Sequence, residues 1–390
     1  MCSIQKNSSG KQPGEETSKH SSCSFSFLHH KKPSTVAPPS SAPPSYDYGP
    51  APRGNPGAIQ SYDAQKDFQS VLKLWHFVLP MYAIPEAKLK DLLGKENGVH
   101  FVVKTIEKDH KTPAVGFVAA YKDPHRPTNY VTALIVHPAY QRRGLGTKLL
   151  DHAVEHLRTT TGKLRVTIGS SSPRFWPGIP LDIPAHGYDF FITKGFVPDK
   201  GPCARDYVID LSNYCTPHLV AERAYKAGVV YHTLTPETAD ECLKLQHQLF
   251  GKDPVWTGAY EKLIKENNHG QIMVAFDEKT NIQLGWTLMT DPEIGGLIDD
   301  LALPTLVGDK TGLIACVGVH PDARKRGVGL GLVAAAAEDM KKRSLSHAFI
   351  DWVTLVGWYE KADAKVWREY RTLSSNSYIS RRQEAIDGEN

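Results

Sequence analysis

One motif occurs twice in this chain, and that duplication restricts the fold more than any other feature of the sequence. In both copies an apolar strand ends in Val-His-Pro, a basic turn with Arg-Gly-x-Gly follows, and a helix-forming stretch comes next. The matching residues are Val136, His137, Pro138, Arg143, Gly144 and Gly146 in the first copy and Val319, His320, Pro321, Arg326, Gly327 and Gly329 in the second. Their spacing is constant, so no gap intervenes. A repeat of this length predicts two duplicated domains rather than a solenoid.

The glycine turn before each helix is typical of an anion site. Backbone N–H groups converge there at the positive end of a helix, and glycine allows a close approach of the backbone. Phosphate or pyrophosphate is the most natural ligand. A dinucleotide fold or a P-loop fits less well, because the turns follow antiparallel-looking strands and no Gly-Lys-Ser/Thr occurs. An ordinary strand–helix turn is the remaining alternative.

Composition and charge exclude several classes of protein. A net charge of +4 over 390 residues is too small to indicate a nucleic-acid binder. The cysteines are scattered with no C-x-x-C pair, which predicts a reduced, intracellular protein without a metal site; they are Cys2, Cys23, Cys203, Cys215, Cys242 and Cys316. No apolar run approaches the length of a membrane span. We therefore expect a cytoplasmic or nuclear protein with no membrane or nucleic-acid partner.

Composition also divides the chain into segments. Residues 1–57 are rich in Ser and Pro and predict a disordered tail, because they cannot bury enough apolar surface. We predict an N-terminal domain at 58–212, a linker at 213–227, a C-terminal domain at 228–376 and a polar tail at 377–390. In each domain two predicted helices precede a series of strands, and the glycine turn with its helix follows.

The duplicated turn resembles the acetyl-CoA signature Q/R-x-x-G-x-G/A of the GNAT superfamily of N-acetyltransferases, once at 141–146 and once at 324–329. The resemblance implies an α/β (α+β) chain of two tandem GNAT folds, each a central mixed, mostly antiparallel sheet flanked by helices, with acetyl-CoA as cofactor. The residues it implies for acetyl-CoA are Cys316, Val317, Val319, Arg324, Lys325, Arg326, Gly327, Val328, Gly329, Leu330 and Gly331 in the second half, and Val136, Gln141, Arg142, Arg143, Gly144, Leu145, Gly146 and Thr147 in the first.

A second family motif, A-x-x-[FL]-Y-x-x-x-G-F, distinguishes the two halves. Its tyrosine serves as general acid toward the CoA thiolate. Tyr359 falls on that position in the second half, although Asp363-Ala364 replaces the usual Gly-Phe. In the first half Phe191 takes the place of the tyrosine, and a phenyl ring cannot donate a proton. The resemblance therefore implies a degenerate first half and catalysis in the second.

Asp351 is the candidate base for the attacking amine. It lies in the apolar strand Phe349–Val353, where a carboxylate is costly to bury without a partner or a purpose. The alternative is a structural carboxylate that caps the next helix or pairs with an arginine. Asp299 and Asp300 are weaker candidates, and a solvated turn is favoured for them. For Cys316 a small buried hydrophobe is favoured over an acyl-enzyme nucleophile.

The stiff loop around Phe175 and Trp176 is the candidate acceptor site. The segments 175–180, 350–352 and 356–361 resemble glucosamine and glucosaminide N-acetyltransferases. Phe175, Trp176 and Trp352 are therefore expected to bind the acceptor, unless the loop only plugs a defunct first cleft. We expect direct transfer of acetyl to the primary amine of a small acceptor, foremost an amino sugar such as glucosamine. The alternatives are a non-catalytic acetyl-CoA or amino-sugar sensor and a protein (histone) acetyltransferase, and the oligomeric state stays open.

Overall fold

A computed structural model describes residues 48–49, 51–106 and 113–375. The predicted polar tail at 377–390 lies outside the described residues, as does most of the predicted tail at 1–57. Within the described ranges, no helix combines the length and the apolar character needed to cross a membrane.

The first half of the chain contributes strands and helices that alternate along the sequence. Its described strands are β1 (Asn55–Pro56), β2 (Gln60–Ser61), β3 (Gly98–Ile106), β4 (Ala114–Lys122), β5 (Asn129–Val136), β6 (Val166–Ile168), β7 (Ile179–Pro180), β8 (Val197–Pro198) and β9 (Ala204–Asp210). Its described α-helices are α1 (Ala64–Val78), α2 (Glu86–Leu93), α3 (Leu145–Thr161) and α4 (Ala185–Ile192).

The second half has a similar order. Its described strands are β10 (Val229–Thr233), β11 (Ile272–Asp277), β12 (Gln283–Thr290), β13 (Thr311–Val319), β14 (His347–Val353), β15 (Lys365–Arg371) and β16 (Leu373–Ser375). Its described α-helices are α5 (His218–Lys226), α6 (Pro236–Phe250), α7 (Pro254–Lys265), α8 (Pro304–Val307) and α9 (Val328–Lys342). Short 3₁₀ turns lie at Pro80–Tyr82, Pro138–Tyr140, His269–Gln271, Leu297–Asp300, Pro321–Ala323 and Tyr359–Ala362.

The two sheets exchange strands between the halves. The first sheet has the order β1-β3-β4-β5-β6-β16-β8, with β2 also paired to β3, and the second has the order β10-β11-β12-β13-β14-β9-β15-β7. Strand β9 of the first half therefore lies between β14 and β15, and β16 of the second half lies between β6 and β8. The second sheet thus contains β7 and β9 from the first half, and the first sheet contains β16 from the second half.

The core also joins the two halves. One hydrophobic cluster contains large side chains from both, including Trp75 and Phe175 of the first half and Trp286 and Phe349 of the second. Two further clusters lie on the outer faces, one under α3 and one under α9. The molecule thus has outer helices, two sheets and a shared central layer that includes α1, α6 and α7.

The domain limits predicted from composition stay a prediction, since strand exchange means that no single cut in the sequence separates the two sheets. Ordered contacts begin before residue 58: β1 pairs with β3, and the Tyr140 hydroxyl donates to the carbonyl groups of Pro52 and Gly54. Residues 213–227 contain helix α5, which buries Val220 and Ala224. Backbone hydrogen bonds and a few apolar side chains order these segments despite their polar composition.

Candidate active site

The second glycine turn forms an open helix N-terminus. Gly327 caps α9 with a φ of +93°, a conformation that disfavours any residue with a side chain, and Lys325 has a φ of +65°. Among the residues that the structure describes, no side-chain cap hydrogen bond is formed at this N-terminus. The first N–H groups of an α-helix have no partner within the helix, so those of Val328 to Leu330 are available to an anion.

The side chains around this turn have distinct roles. Arg326 donates to the Ala227 carbonyl at 3.0 Å and pairs with Asp277 at 3.3 Å, so its guanidinium braces the turn. Arg324 and Lys325 are exposed. A Cβ atom at Gly329 would lie 3.1 Å from the Trp358 ring, so that ring packs directly against the first turn of the helix. The predicted residues 316–331 thus form one continuous path from strand β13 to helix α9.

The first glycine turn has the same backbone form. Gly144 caps α3 with a φ of +80°, and within the described part of the chain no side-chain cap hydrogen bond is formed at that N-terminus. The Gln141 amide donates to the Val136 carbonyl at 2.9 Å, and Phe190 takes the place that Trp358 has in the second half, facing Gly146. The predicted residues 136–147 therefore also follow one strand–turn–helix path.

A cleft opens where β13 and β14 separate. These strands pair in parallel only at residues 311–313 and 347–349, and they diverge beyond that point. A bulge in β13 places Cys316 and Val317 opposite the single residue Thr287, with Cys316 at a φ of +54°. The pocket at this point has a volume of about 510 Å³, which includes space open to solvent. It is lined by Arg174, Asp253, Val255, Trp256, Ile314, Ala315, Cys316, Val317, Ile350, Asp351, Trp352, Val353 and Tyr359.

Both predicted catalytic residues line this cleft. Tyr359 is largely buried and packs against Trp358 and Tyr207.

Cys316 also lines the cleft. Its carbonyl accepts a hydrogen bond from the Tyr260 hydroxyl at 2.8 Å, and burial raises the pKa of the Cys316 thiol to about 12. A thiol with that pKa remains protonated near neutrality, which makes it a poor nucleophile.

Arg174, which the sequence reading did not single out, reaches the cleft from the first half. Its guanidinium forms an ion pair with Asp351 and lies 5.3 Å from the centre of the Trp352 ring. Its backbone bonds to the Asp300 carbonyl and to the Ala302 N–H, which fix this loop on the second half. Asp351 thus has the arginine partner considered as its structural alternative. The signal was an arginine directly before two aromatic residues in a proline-rich loop.

Asp299 and Asp300 lie in a half-exposed turn, as the favoured interpretation expects, and they also take part in this inter-half contact. Asp300 pairs with Lys95 at 3.1 Å, and the Asp299 carbonyl accepts from Lys88. These contacts hold the 3₁₀ turn Leu297–Asp300 against the first half.

Arg174→Met is expected to lower the free energy of unfolding by about 3–5 kcal/mol, because Asp351 would be left buried without its partner. Urea unfolding followed by circular dichroism measures this. The matched control is Arg205→Met, since Arg205 pairs with Glu369, whose side chain is 37% exposed. That control should cost less than about 1 kcal/mol. Equal losses in the two variants would contradict the expectation.

The structure places Phe175 and Trp176 among core residues. Both pack against Trp75, and the Trp176 indole donates to the Thr132 carbonyl at 2.8 Å. Thr132 is the bulged residue of β5, at the point where β5 and β6 separate. Trp176 therefore fills the opening of the first half that corresponds to the cleft of the second, and Trp352 is the half-exposed aromatic residue at the open cleft.

Asp206 is the second residue that the sequence reading missed. It lies on the exchanged strand β9, and its carboxylate accepts a hydrogen bond from the Trp352 backbone N–H at 2.9 Å. Trp352 has a φ of +53°, so this bond holds an uncommon backbone conformation next to Asp351. The buried-charge argument that identified Asp351 applies equally to Asp206, which directly precedes the apolar residues Tyr207–Ile209.

A model of the acetyltransferase (GNAT) family matches residues 66–173 and 241–362. A curated relative, an uncharacterised N-acetyltransferase of Schizosaccharomyces pombe, is 32% identical over 97 residues, which are 24% of this chain and 59% of the relative. The match therefore spans less than two thirds of that protein. The two family matches confirm the predicted duplication.

Solved structures agree with a tandem fold. A GCN5-related glucosamine N-acetyltransferase region in a fungal multi-domain GH3 β-N-acetylglucosaminidase is 26% identical, with a TM-score of 0.72 over 83% of this chain and 38% of that one. A GCN5-related N-acetyltransferase from Sphaerobacter thermophilus is 14% identical, with a TM-score of 0.60 over 82% and 95%. A tandem GNAT protein from the clavulanic acid biosynthesis pathway is 16% identical, with a TM-score of 0.55 over 82% and 98%. These likenesses confirm the predicted fold class.

Proposed function

This chain belongs to the acetyltransferase (GNAT) family, and we propose that it transfers acetyl from acetyl-CoA to the primary amine of an amino sugar such as glucosamine. The observation that carries the proposal is the cleft between β13 and β14, where Asp351 and Tyr359 line the same space beside an uncapped helix N-terminus. The fungal relative, described as a glucosamine N-acetyltransferase region, supports the choice of acceptor.

The glycine turn fits the pyrophosphate of acetyl-CoA. The left-handed backbone at Gly327 turns consecutive N–H groups toward one point, and exposed Arg324 and Lys325 add positive charge. When bound, acetyl-CoA supplies the activated acetyl thioester. The bulge at Cys316 and Val317 offers backbone groups to the thioester end of the ligand.

The side chains of the cleft suit direct attack by the amine. Asp351 is placed to hold the amine and take its proton, and Tyr359 is placed to donate a proton to the departing sulfur. Trp352 offers a face against which a sugar ring can stack. The raised pKa of Cys316 supports direct transfer rather than an acyl-enzyme, since a protonated thiol is a weak nucleophile.

An acceptor screen that monitors free CoA thiol tests the proposal. We expect thiol release with glucosamine and none with N-acetylglucosamine, the matched control whose nitrogen is already acylated. Release with lysine peptides alone would indicate a protein acetyltransferase. Tight binding of acetyl-CoA with no turnover of any amine would indicate a sensor, and either result would reject the proposed acceptor.

Gly327→Glu is expected to weaken acetyl-CoA binding at the second turn by about tenfold or more, on the order of 1.4 kcal/mol for each factor of ten. The carboxylate would occupy the anion position, and the φ of +93° would be strained by any side chain. Isothermal titration calorimetry gives the affinity and the stoichiometry. Gly144→Glu, at the first turn, is the matched control. Loss of binding in that control but not in Gly327→Glu would place the cofactor in the first half.

A further inference from the structure

Asp206 lies at an irregular point of the second sheet. On one side β14 bulges, so that Asp351 and Trp352 face it together; on the other side β15 bulges at Trp367. Bulges that flank one position on both sides re-aim side chains and are frequent near active sites. The Asp206 side chain is nonetheless almost fully buried, at 1% exposure.

Asp206 lines a second pocket, about 240 Å³ including space open to solvent, which shares Arg174, Asp351 and Trp352 with the cleft. Its cross-strand neighbour Arg368 forms an ion pair with Asp182 instead. Asp351 therefore has a guanidinium partner, whereas Asp206 accepts a hydrogen bond from the Trp352 backbone N–H and lies near the Tyr370 hydroxyl, and both lower its pKa. Asp206 and Asp351 both line this pocket, which opens to solvent, so water can reach the space that they share.

We propose that Asp206 is the final acceptor of the proton that the acceptor amine loses, with Asp351 and water in the shared cavity as the path. This inference rests on the proposed function. It adds to the proton path of the second half a residue, Asp206, that lies on strand β9 of the first half. The ammonium nitrogen loses one proton, which forms an O–H bond on Asp206. The amine then forms the N–C bond while the C–S bond breaks. The sulfur takes the Tyr359 proton, and Tyr359 recovers one from the nitrogen.

The protonation of Asp206 suits this role. Burial raises its pKa to about 7, and Asp351 adds to the increase, while the Trp352 N–H, Tyr370 and Arg368 lower it. The groups that face Asp206 are thus Asp351 from β14, Arg368 and Tyr370 from β15, and Arg174 across the cavity. Below that pKa the group is already protonated and cannot accept a proton. Activity should therefore fall as the pH drops below about 7.

Asp206→Asn in the full chain tests the inference, because the amide oxygen can still accept from the Trp352 N–H and the β14 bulge is retained. We expect kcat with glucosamine to fall by about 10²–10⁴-fold and the acidic limb of the kcat profile near pH 7 to disappear. The loss should be smaller with hydroxylamine, a less basic amine that is already neutral at the assay pH.

The matched control is Asp67→Asn, another buried carboxylate, which pairs with Lys104 in the first half. This variant should keep the acidic limb of the kcat profile, and its ratio of kcat with hydroxylamine to kcat with glucosamine should equal that of the wild type. If the Asp206→Asn enzyme retains the acidic limb of its kcat profile near pH 7, this inference is wrong and the proposed function is unaffected. A wild type that turns over no amine would overturn the proposed function and this inference with it.

Discussion

Tyr359→Phe is expected to lower kcat with glucosamine by about 10²–10⁴-fold while the Kd for acetyl-CoA stays unchanged. The substitution removes the hydroxyl that would protonate the departing thiolate, and it keeps the ring that packs against Trp358 and Tyr207. The first half already carries this change, since Phe191 holds the matching position. Free-thiol release gives kcat, and calorimetry gives the affinity for the cofactor.

The neighbouring Tyr207 provides the control for that variant. Its ring lies 5.7 Å from the Tyr359 ring, its hydroxyl donates to Glu360, and it is absent from the lining of the cleft. Tyr207→Phe should keep kcat within the range of the wild type. If Tyr359→Phe also keeps its kcat, another group protonates the thiolate and the acid role of Tyr359 is wrong.

Residues 213–390, produced without the first half, are expected to lack a cooperative unfolding transition. The fragment has no β9 and no β7, so β14 would lose one of its two hydrogen-bonded neighbours and β15 would lose both of its own. Strand β9 buries Ala204, Asp206, Tyr207, Val208 and Ile209. A buried aliphatic side chain contributes about 1.5–3 kcal/mol. The loss is therefore comparable with the whole stability of a domain, about 5–15 kcal/mol.

Urea unfolding followed by circular dichroism measures this, with residues 204–390 as the matched control. That longer fragment restores β9 ahead of α5, and we expect it to unfold at a higher urea concentration than 213–390. Identical unfolding curves for the two fragments would show that the exchanged strand does not complete the second sheet in solution.

The sequence was sufficient to predict the local parts of this fold. The glycine turns, the helices that follow them and the strand containing Asp351 depend on neighbouring residues, and each predicted turn lies at an uncapped helix N-terminus. The family resemblance supplied Tyr359, which lines the same cleft as Asp351. These features need only a periodic pattern and a short motif.

Strand exchange could not be predicted in the same way. The local sequence of β9 or β16 does not indicate which sheet the strand joins, because the two sheets of a duplicated chain offer similar positions. The contributions of Arg174 and Asp206 depend on that exchange and on a loop that docks across the halves. The positions of Phe175 and Trp176 likewise depend on packing against Trp75, which a local pattern does not reveal.

The exchange of β16 also delays the completion of the first sheet during synthesis. Its Ser374 hydroxyl accepts a hydrogen bond from Arg165, a residue made 209 positions earlier. At a translation rate of about 5–20 residues per second, the first sheet waits roughly 10–40 s with an open slot between β6 and β8. During that interval its exposed strand edges are free to pair with other nascent chains. The first half of the chain is therefore synthesised first, but its sheet is completed only after β16 at Leu373–Ser375 has been made.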